Sequence, residues 1–137
     1  MSILSVKNLS KSFGKLEVLN DISFNVEQGE VISIIGPSGS GKSTLLRCIN
    51  QFEKIDSGEC EICGITMTRN DENGKAVYAD NKTLHDIRLK IGLVFQNFNL
   101  FPHYSVLKNI MEAPVLIQKR PKDEVRAEAM ALLDKMG

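Results

Sequence analysis

Apolar positions alternate with period two early in the chain and recur at helical spacing only later. Ile3 to Leu9 mixes apolar and polar residues as a half-buried strand does, and Val18 to Val26 places Ile22, Phe24 and Val26 on one face. Lys11 to Lys15 between them reads as a turn, so the two runs are expected to pair antiparallel. After a second turn at Glu27 to Glu30, Val31-Ile32-Ser33-Ile34-Ile35 is so apolar that it predicts a strand buried on both faces, as in a parallel sheet. A helix is predicted over Lys42 to Phe52, a turn at Asp56-Ser57-Gly58 and a short strand over Glu59 to Ile65. Residues 69–83 are polar enough for an exposed hairpin or loop. Leu84, Ile87 and Leu89 mark an amphipathic segment, and Ile91 to Phe95 a second buried strand that ends at Gln96.

Beyond Gln96 the pattern turns aromatic and then helical. Asn97 to Tyr104 is a loop rich in aromatic side chains, in a chain that is only 6% aromatic. Ser105 is placed to cap a helix through Val106, Leu107, Ile110 and Met111, which Pro114 should break or kink. A last helix begins near Pro121, with Asp123 and Glu124 in its first turn, and Val125, Ala129, Leu132, Leu133 and Met136 line one face.

Composition narrows the class. At 137 residues, 42% of them hydrophobic, the chain has the length and apolar content of one domain. Its 17 basic and 17 acidic residues cancel, leaving no general electrostatic footprint for nucleic acid. Uninterrupted aliphatic runs reach about five residues, far short of the roughly 20 that span a bilayer. A soluble or peripheral cytoplasmic protein is expected. Cys48, Cys60 and Cys63 are an odd set without secretory context, so a disulfide framework is not expected. Cys60 and Cys63 have C-x-x-C spacing, but no second pair completes a zinc site, and they read as small strand residues.

The strongest chemical signal is Gly36-Pro37-Ser38-Gly39-Ser40-Gly41-Lys42-Ser43-Thr44, set between an apolar run and a helical one. The spacing Gly36, Gly41, Lys42, Ser43 is that of a phosphate-cradling loop, whose consecutive backbone N–H groups turn inward around phosphate oxygens. Glycine permits that close approach, and the first turn of the following helix adds unpaired N–H groups and its dipole. In this pattern Lys42 reaches the β and γ phosphates and the Ser43 hydroxyl ligates Mg²⁺. Thr44 adds a further donor near the α phosphate.

With these residues in view, the chain resembles the ATP-binding subunits of ATP-binding-cassette (ABC) transporters. The loop alone is shared with nucleotide kinases. Here, however, about 35 residues patterned as antiparallel strands precede it, and Val94-Phe95-Gln96 resembles the family's Q-loop. Gly92 to His103, the polar insertion before it and Asn109 to Val115 after it resemble the branch that serves importers of polar amino acids. The resemblance implies an α/β fold: a P-loop NTPase (RecA-like) core sheet, an N-terminal antiparallel β subdomain and the start of a helical subdomain.

The resemblance also implies roles for particular residues. Phe13 would stack on adenine, while Lys42 and Gln96 would be the catalytic pair, with Ser43 and Gln96 near Mg²⁺ and ATP as the nucleotide. Phe98, Leu100, Phe101, Pro102 and Tyr104 would form a groove for a transmembrane permease subunit if exposed, and core if buried. Further implied partners are a second ATPase subunit in a homodimer and, indirectly, a solute-binding protein; the implied location is the inner face of the cell membrane. His85 and His103 match no catalytic histidine of the family.

Residues 1–137 correspond to a partial ABC ATPase domain, ending before the family's signature loop and its Walker B aspartate. These residues alone are therefore expected to bind nucleotide weakly and hydrolyse it negligibly, and apolar strands lacking parallel neighbours should leave exposed edges. Other readings stay open: an ABC ATPase serving cell division or lipoprotein release, a non-catalytic nucleotide-binding module, or a nucleotide kinase. Against the last, Arg88, Arg120 and Arg126 are the only arginines in the downstream half and are not clustered.

Overall fold

The computed structural model describes residues 2–94 and 100–137. It divides into two units, Met1–Leu93 and Val94–Gly137.

The first unit is built on an antiparallel sheet. Strands β1 (Ser2–Phe13) and β2 (Leu16–Glu27) form the expected hairpin, turning at residues 14–15. After helix α1 (Lys42–Ile49) come β3 (Ser57–Ile62), β4 (Ile65–Asn70), β5 (Ala76–Tyr78) and helix α2 (Asn81–Arg88). The five strands lie in the order β2-β1-β3-β4-β5.

Period two holds well in β3, where Gly58, Cys60 and Ile62 are buried while Glu59 and Glu61 face out. The expected single strand over Glu59 to Ile65 is instead two strands. Cys63 takes a left-handed φ of 51°, so the chain reverses there and Ile65 pairs back onto Ile62. The polar stretch around Asp71 closes the next hairpin: the Asp71 carboxylate accepts from the N–H groups of Asn73 and Lys75.

The core joins this sheet to both helices through Val6, Leu9, Leu19, Leu45, Cys48, Ile49, Ile55, Met67 and Ile87. The first hairpin bulges where Asn8 and Asp21 take positive φ. Side chains satisfy the freed groups: Asn8 Nδ2 donates to Asp21 Oδ1 (2.6 Å), and the Asn8 and Asp21 N–H groups donate to Ser23 and Ser10 hydroxyls.

Two expected strands are not formed. Residues 31–35 have no regular structure, and Val31 and Ile35 are 91% and 93% exposed. Residues 91–94 are likewise irregular, while Phe95 and Gln96 lie outside the described residues. The reason is a missing ladder: among the described residues no strand pairs with either run. Apolar composition without an edge partner does not hold backbone extended.

Helix α1 is also shorter than expected. It ends at Ile49, with Asn50 as its C-cap and Gln51 left-handed at φ 66°.

The second unit pairs helix α3 (Val106–Leu116) with helix α4 (Lys122–Met136) around buried Met111, Val125 and Ala129. Ser105 caps α3 as expected, its hydroxyl accepting from the Lys108 N–H at 3.1 Å. Pro114 neither breaks nor ends the helix before Leu116. Only the first part of the α4 apolar face is covered: Leu132 and Met136 are exposed. Helix α3 is shorter, at 11 residues against 15, and the buried cluster between the two helices holds α4 only through Val125 and Ala129.

Gly58 is where the sheet tolerates no side chain. Its φ is +125°, and a Cβ there would lie 2.6 Å from Leu9 Cα and 2.9 Å from the Asn8 carbonyl, both backbone atoms. Gly74 also has positive φ, but faces open space. Gly58→Ala should therefore destabilise the first unit by about 2 kcal/mol or more, and Gly74→Ala by about 1 kcal/mol. Urea midpoints of the two variants check this; equal shifts would contradict it.

Candidate functional site

The glycine loop runs from the irregular 31–35 segment into α1. Gly41 is the N-cap of α1 with φ 95°, and it contributes no side chain to cap the first turn. The N–H groups of that turn have no partner further back in the helix and face outward with the positive end of the helix dipole. A short turn closes the loop, the Ser40 N–H donating to the Pro37 carbonyl at 3.1 Å. The loop is also narrow, since a Cβ on Gly36 would lie 2.7 Å from the Ser40 hydroxyl. From the first turn of α1 Lys42 reaches back across the loop, its Nζ donating to the Gly36 carbonyl. Outward amides, a fixed ammonium and a narrow glycine backbone form the donor set that a phosphate chain requires.

The loop is seated on the β1–β2 hairpin. A Cβ on Gly41 would lie 3.0 Å from the Val18 carbonyl and 3.0 Å from Leu19 Cδ2, so only glycine lets α1 start this close to β2. Leu16, two residues (about 7 Å) from Val18 along the strand, pairs with Phe13. Strand pairing thus brings the Phe13 ring to the end of the sheet on which the loop rests. Phe13 is 44% exposed. A cavity of about 310 Å³ adjoins the loop, lined by Leu19, Ile22, Phe24, Ile34, Gly41 and Lys42 among others.

A charged pair lies beside Phe13. Lys11 Nζ lies over its ring, 5.1 Å from the centroid. The same ammonium is 3.5 Å from Asp56 Oδ1, while Asp56 Oδ2 accepts from the Ser12 N–H at 2.7 Å. Lys11 and Asp56 read in sequence only as turn residues. They are 45 positions apart, and no pattern of short range links them.

The remaining candidates fall elsewhere. Pro37, Ser38, Gly39, Ser43 and Thr44 lie in the loop or the first turn of α1. Gln96 and Phe98 lie outside the described residues. In the second unit Leu100, Phe101 and Pro102 are exposed and Tyr104 half-buried, so these four form surface rather than core. Asn109, an unforeseen organiser, holds this segment: its Oδ1 accepts from the Phe101 N–H (2.8 Å) and its Nδ2 donates to the Ser105 carbonyl (2.9 Å). The rings of Phe101 and His103 both pack on Tyr104, with Lys108 over the Tyr104 ring. Among the described residues no acidic, histidine or cysteine cluster could hold a metal ion, and no helix is long and apolar enough to cross a membrane.

Solved structures of ATP-binding cassettes share this fold. The chain superposes on one such cassette, solved as a dimer in a post-hydrolysis state bound to ADP and Pi, with TM-score 0.76 and 37% identity over 96% of this chain and 56% of that one. The chain belongs to the ABC transporter family, whose model matches residues 19–137. It is 49% identical over 135 residues to the L-cystine import ATP-binding protein TcyC of Bacillus subtilis, covering 98% of this chain and 52% of that protein. It is 43% identical over 135 residues to the arginine transport ATP-binding protein ArgV of Corynebacterium glutamicum, covering 98% and 53%. The chain thus spans about half the length of the curated relatives it matches.

The two cysteines of the C-x-x-C spacing sit in different environments. Cys60 is buried in β3 and Cys63 exposed at the turn, and both are free thiols. Burial pushes the Cys48 thiol up to about 11 and the Cys60 thiol up to about 12. Between the ordinary thiol midpoint of 9.0 and about 11, both keep their protons in the folded chain, whereas the unfolded thiols are half ionised at pH 9 and increasingly so above it. Their contribution to stability is therefore complete below pH 9 and lost as pH rises toward 12. With a thiol reagent at pH 8, Cys63 should label at the rate of an unfolded control, and Cys48 and Cys60 at least about 100-fold more slowly. Fast labelling of all three in the folded chain would contradict the burial.

Proposed function

We propose that the protein to which this chain belongs is the ATP-binding, ATP-hydrolysing subunit of an ABC importer for polar amino acids. The observation that carries this reading is the loop of residues 36–44, with Lys42 folded across it and the first turn of α1 left uncapped. The relatives TcyC and ArgV, named for cystine import and arginine transport, support the amino-acid branch.

In this reading the amides of Gly39 to Thr44 and the Lys42 ammonium hold the phosphates, and Lys42 leaves the Gly36 carbonyl to bind them. A Mg²⁺ ion would neutralise charge building on the β and γ oxygens. Ser43 and Gln96 are the residues that would hold it, with Gln96 also orienting the attacking water. Phe13, which is 44% exposed, takes the adenine. Phosphoryl transfer is mostly positioning and charge stabilisation. This segment supplies the cradle, and the water-polarising glutamate and signature loop of the family belong to the remainder of the protein and to a second subunit. Phe98, Leu100, Phe101, Pro102 and Tyr104 would receive the membrane permease, which places the protein on the inner face of the membrane and couples it, through the permease, to a solute-binding protein. The exposure of Leu100, Phe101 and Pro102 favours that partner role over packing.

The test is ATP-dependent uptake of labelled polar amino acids by vesicles that hold the whole protein with its permease. Lys42→Ala should reduce uptake at least about 100-fold, the scale of losing a positioned charge at a transition state. Uptake that survives Lys42→Ala, or an assembly that consumes ATP without moving any amino acid, would overturn the reading.

A further inference from the structure

We infer that Asp56 and Lys11 form a positioning pair that fixes the Phe13 ring and leaves it one face for a nucleobase. The inference rests on the reading of the loop as a nucleotide site. It adds two residues to which that reading gives no role.

The end of β1 would fray if left to itself, since Phe13 is the last residue before the hairpin turn. It is instead clipped from outside the hairpin. Asp56 N–H donates to the Ser10 carbonyl at 3.1 Å, and Asp56 Oδ2 accepts from the Ser12 N–H at 2.7 Å. Asp56 is itself held in place, because its carbonyl accepts from the Ala76 N–H at 3.0 Å and the neighbouring Ile55 N–H donates to the Tyr78 hydroxyl at 2.7 Å. The strand end that carries the ring is thereby tied to β5, on the far side of the sheet order.

The charge arrangement then selects a face of the ring. Lys11 and Phe13 are two apart at the end of β1, and the Lys11 ammonium lies over the Phe13 ring. The Lys11 side chain is only 11% exposed, and its ammonium is 3.5 Å from the Asp56 carboxylate and 5.1 Å from the centroid of the Phe13 ring. Attraction to the ring's π face holds that face against the cation. Phe13 remains 44% exposed, and in this proposal the incoming flat base stacks on the face away from Lys11. A ring that is already oriented loses little side-chain entropy when a base stacks on it.

The experiment compares two ligands, Mg-ATP and inorganic tripolyphosphate with Mg²⁺, which share the phosphates and differ in the base. Affinities are measured by calorimetry on the full chain and on its Asp56→Asn, Lys11→Met and Phe13→Ala variants. Asp56→Asn and Lys11→Met should each weaken ATP at least about fivefold, the lower end of what one base stack contributes, and leave tripolyphosphate within about twofold. In a Phe13→Ala background neither change should weaken ATP further. Equal losses for both ligands would mean that the pair supports the loop or the fold generally, and would overturn the proposal, as would unchanged ATP affinity in both variants. A wild-type chain that binds neither ligand would sink the nucleotide reading itself, and the proposal with it.

Discussion

The contact on which the rest depends is the seat of Gly41 against β2. With no Cβ at residue 41, α1 starts within van der Waals reach of the Val18 carbonyl and the Leu19 side chain. That fixes where the first-turn amides and Lys42 stand relative to the hairpin. The hairpin in turn presents Phe13 from the strand that pairs with Leu16. The loop proposed to hold phosphates and the ring proposed to take the base are thus set on one hairpin, the preorganisation that a binding site needs.

The sheet beneath is held by ladder bonds and by small side-chain repairs. The Asn8 and Asp21 bulges are closed by side chains, and Gly58 lets β3 approach β1 at backbone distance. Buried Leu9, Met67 and Ile87 tie β1, β4 and α2 into a single core. By contrast residues 31–35 are apolar and largely exposed although they lead directly into the loop. Hydrophobic side chains here are a demand for burial that the sheet order of this unit does not meet.

The features legible in the sequence were those whose cause acts over a few residues. Glycine spacing identified the loop, period two gave the β1–β2 hairpin, and Ser105 announced the cap of α3. The strands expected from Val31 and from Ile91 do not form over residues 31–35 and 91–94, because apolarity signals burial but not the partner that provides it. The turn at Cys63-Gly64, where both residues have positive φ, carries a sequence signal only in Gly64, while the left-handed Cys63 leaves no trace in a hydropathy pattern. Asp56, Lys11 and Asn109 escaped notice for a related reason: their roles lie in contacts made after folding, the first two across 45 positions. Family resemblance supplied what local physics did not, namely a reason to connect Phe13 with the loop.

The central claim is that residues 36–44 wrap their amides around a phosphate chain while Phe13 takes the base. Backbone amide chemical shifts recorded during a titration with Mg-ATP test it most directly, together with through-space contacts from the adenine protons. The account predicts the largest shifts at Gly39 and Gly41 to Thr44, and contacts from adenine to the Phe13 ring protons. Saturable shifts confined to other parts of the sheet, with the loop amides unmoved, would contradict it.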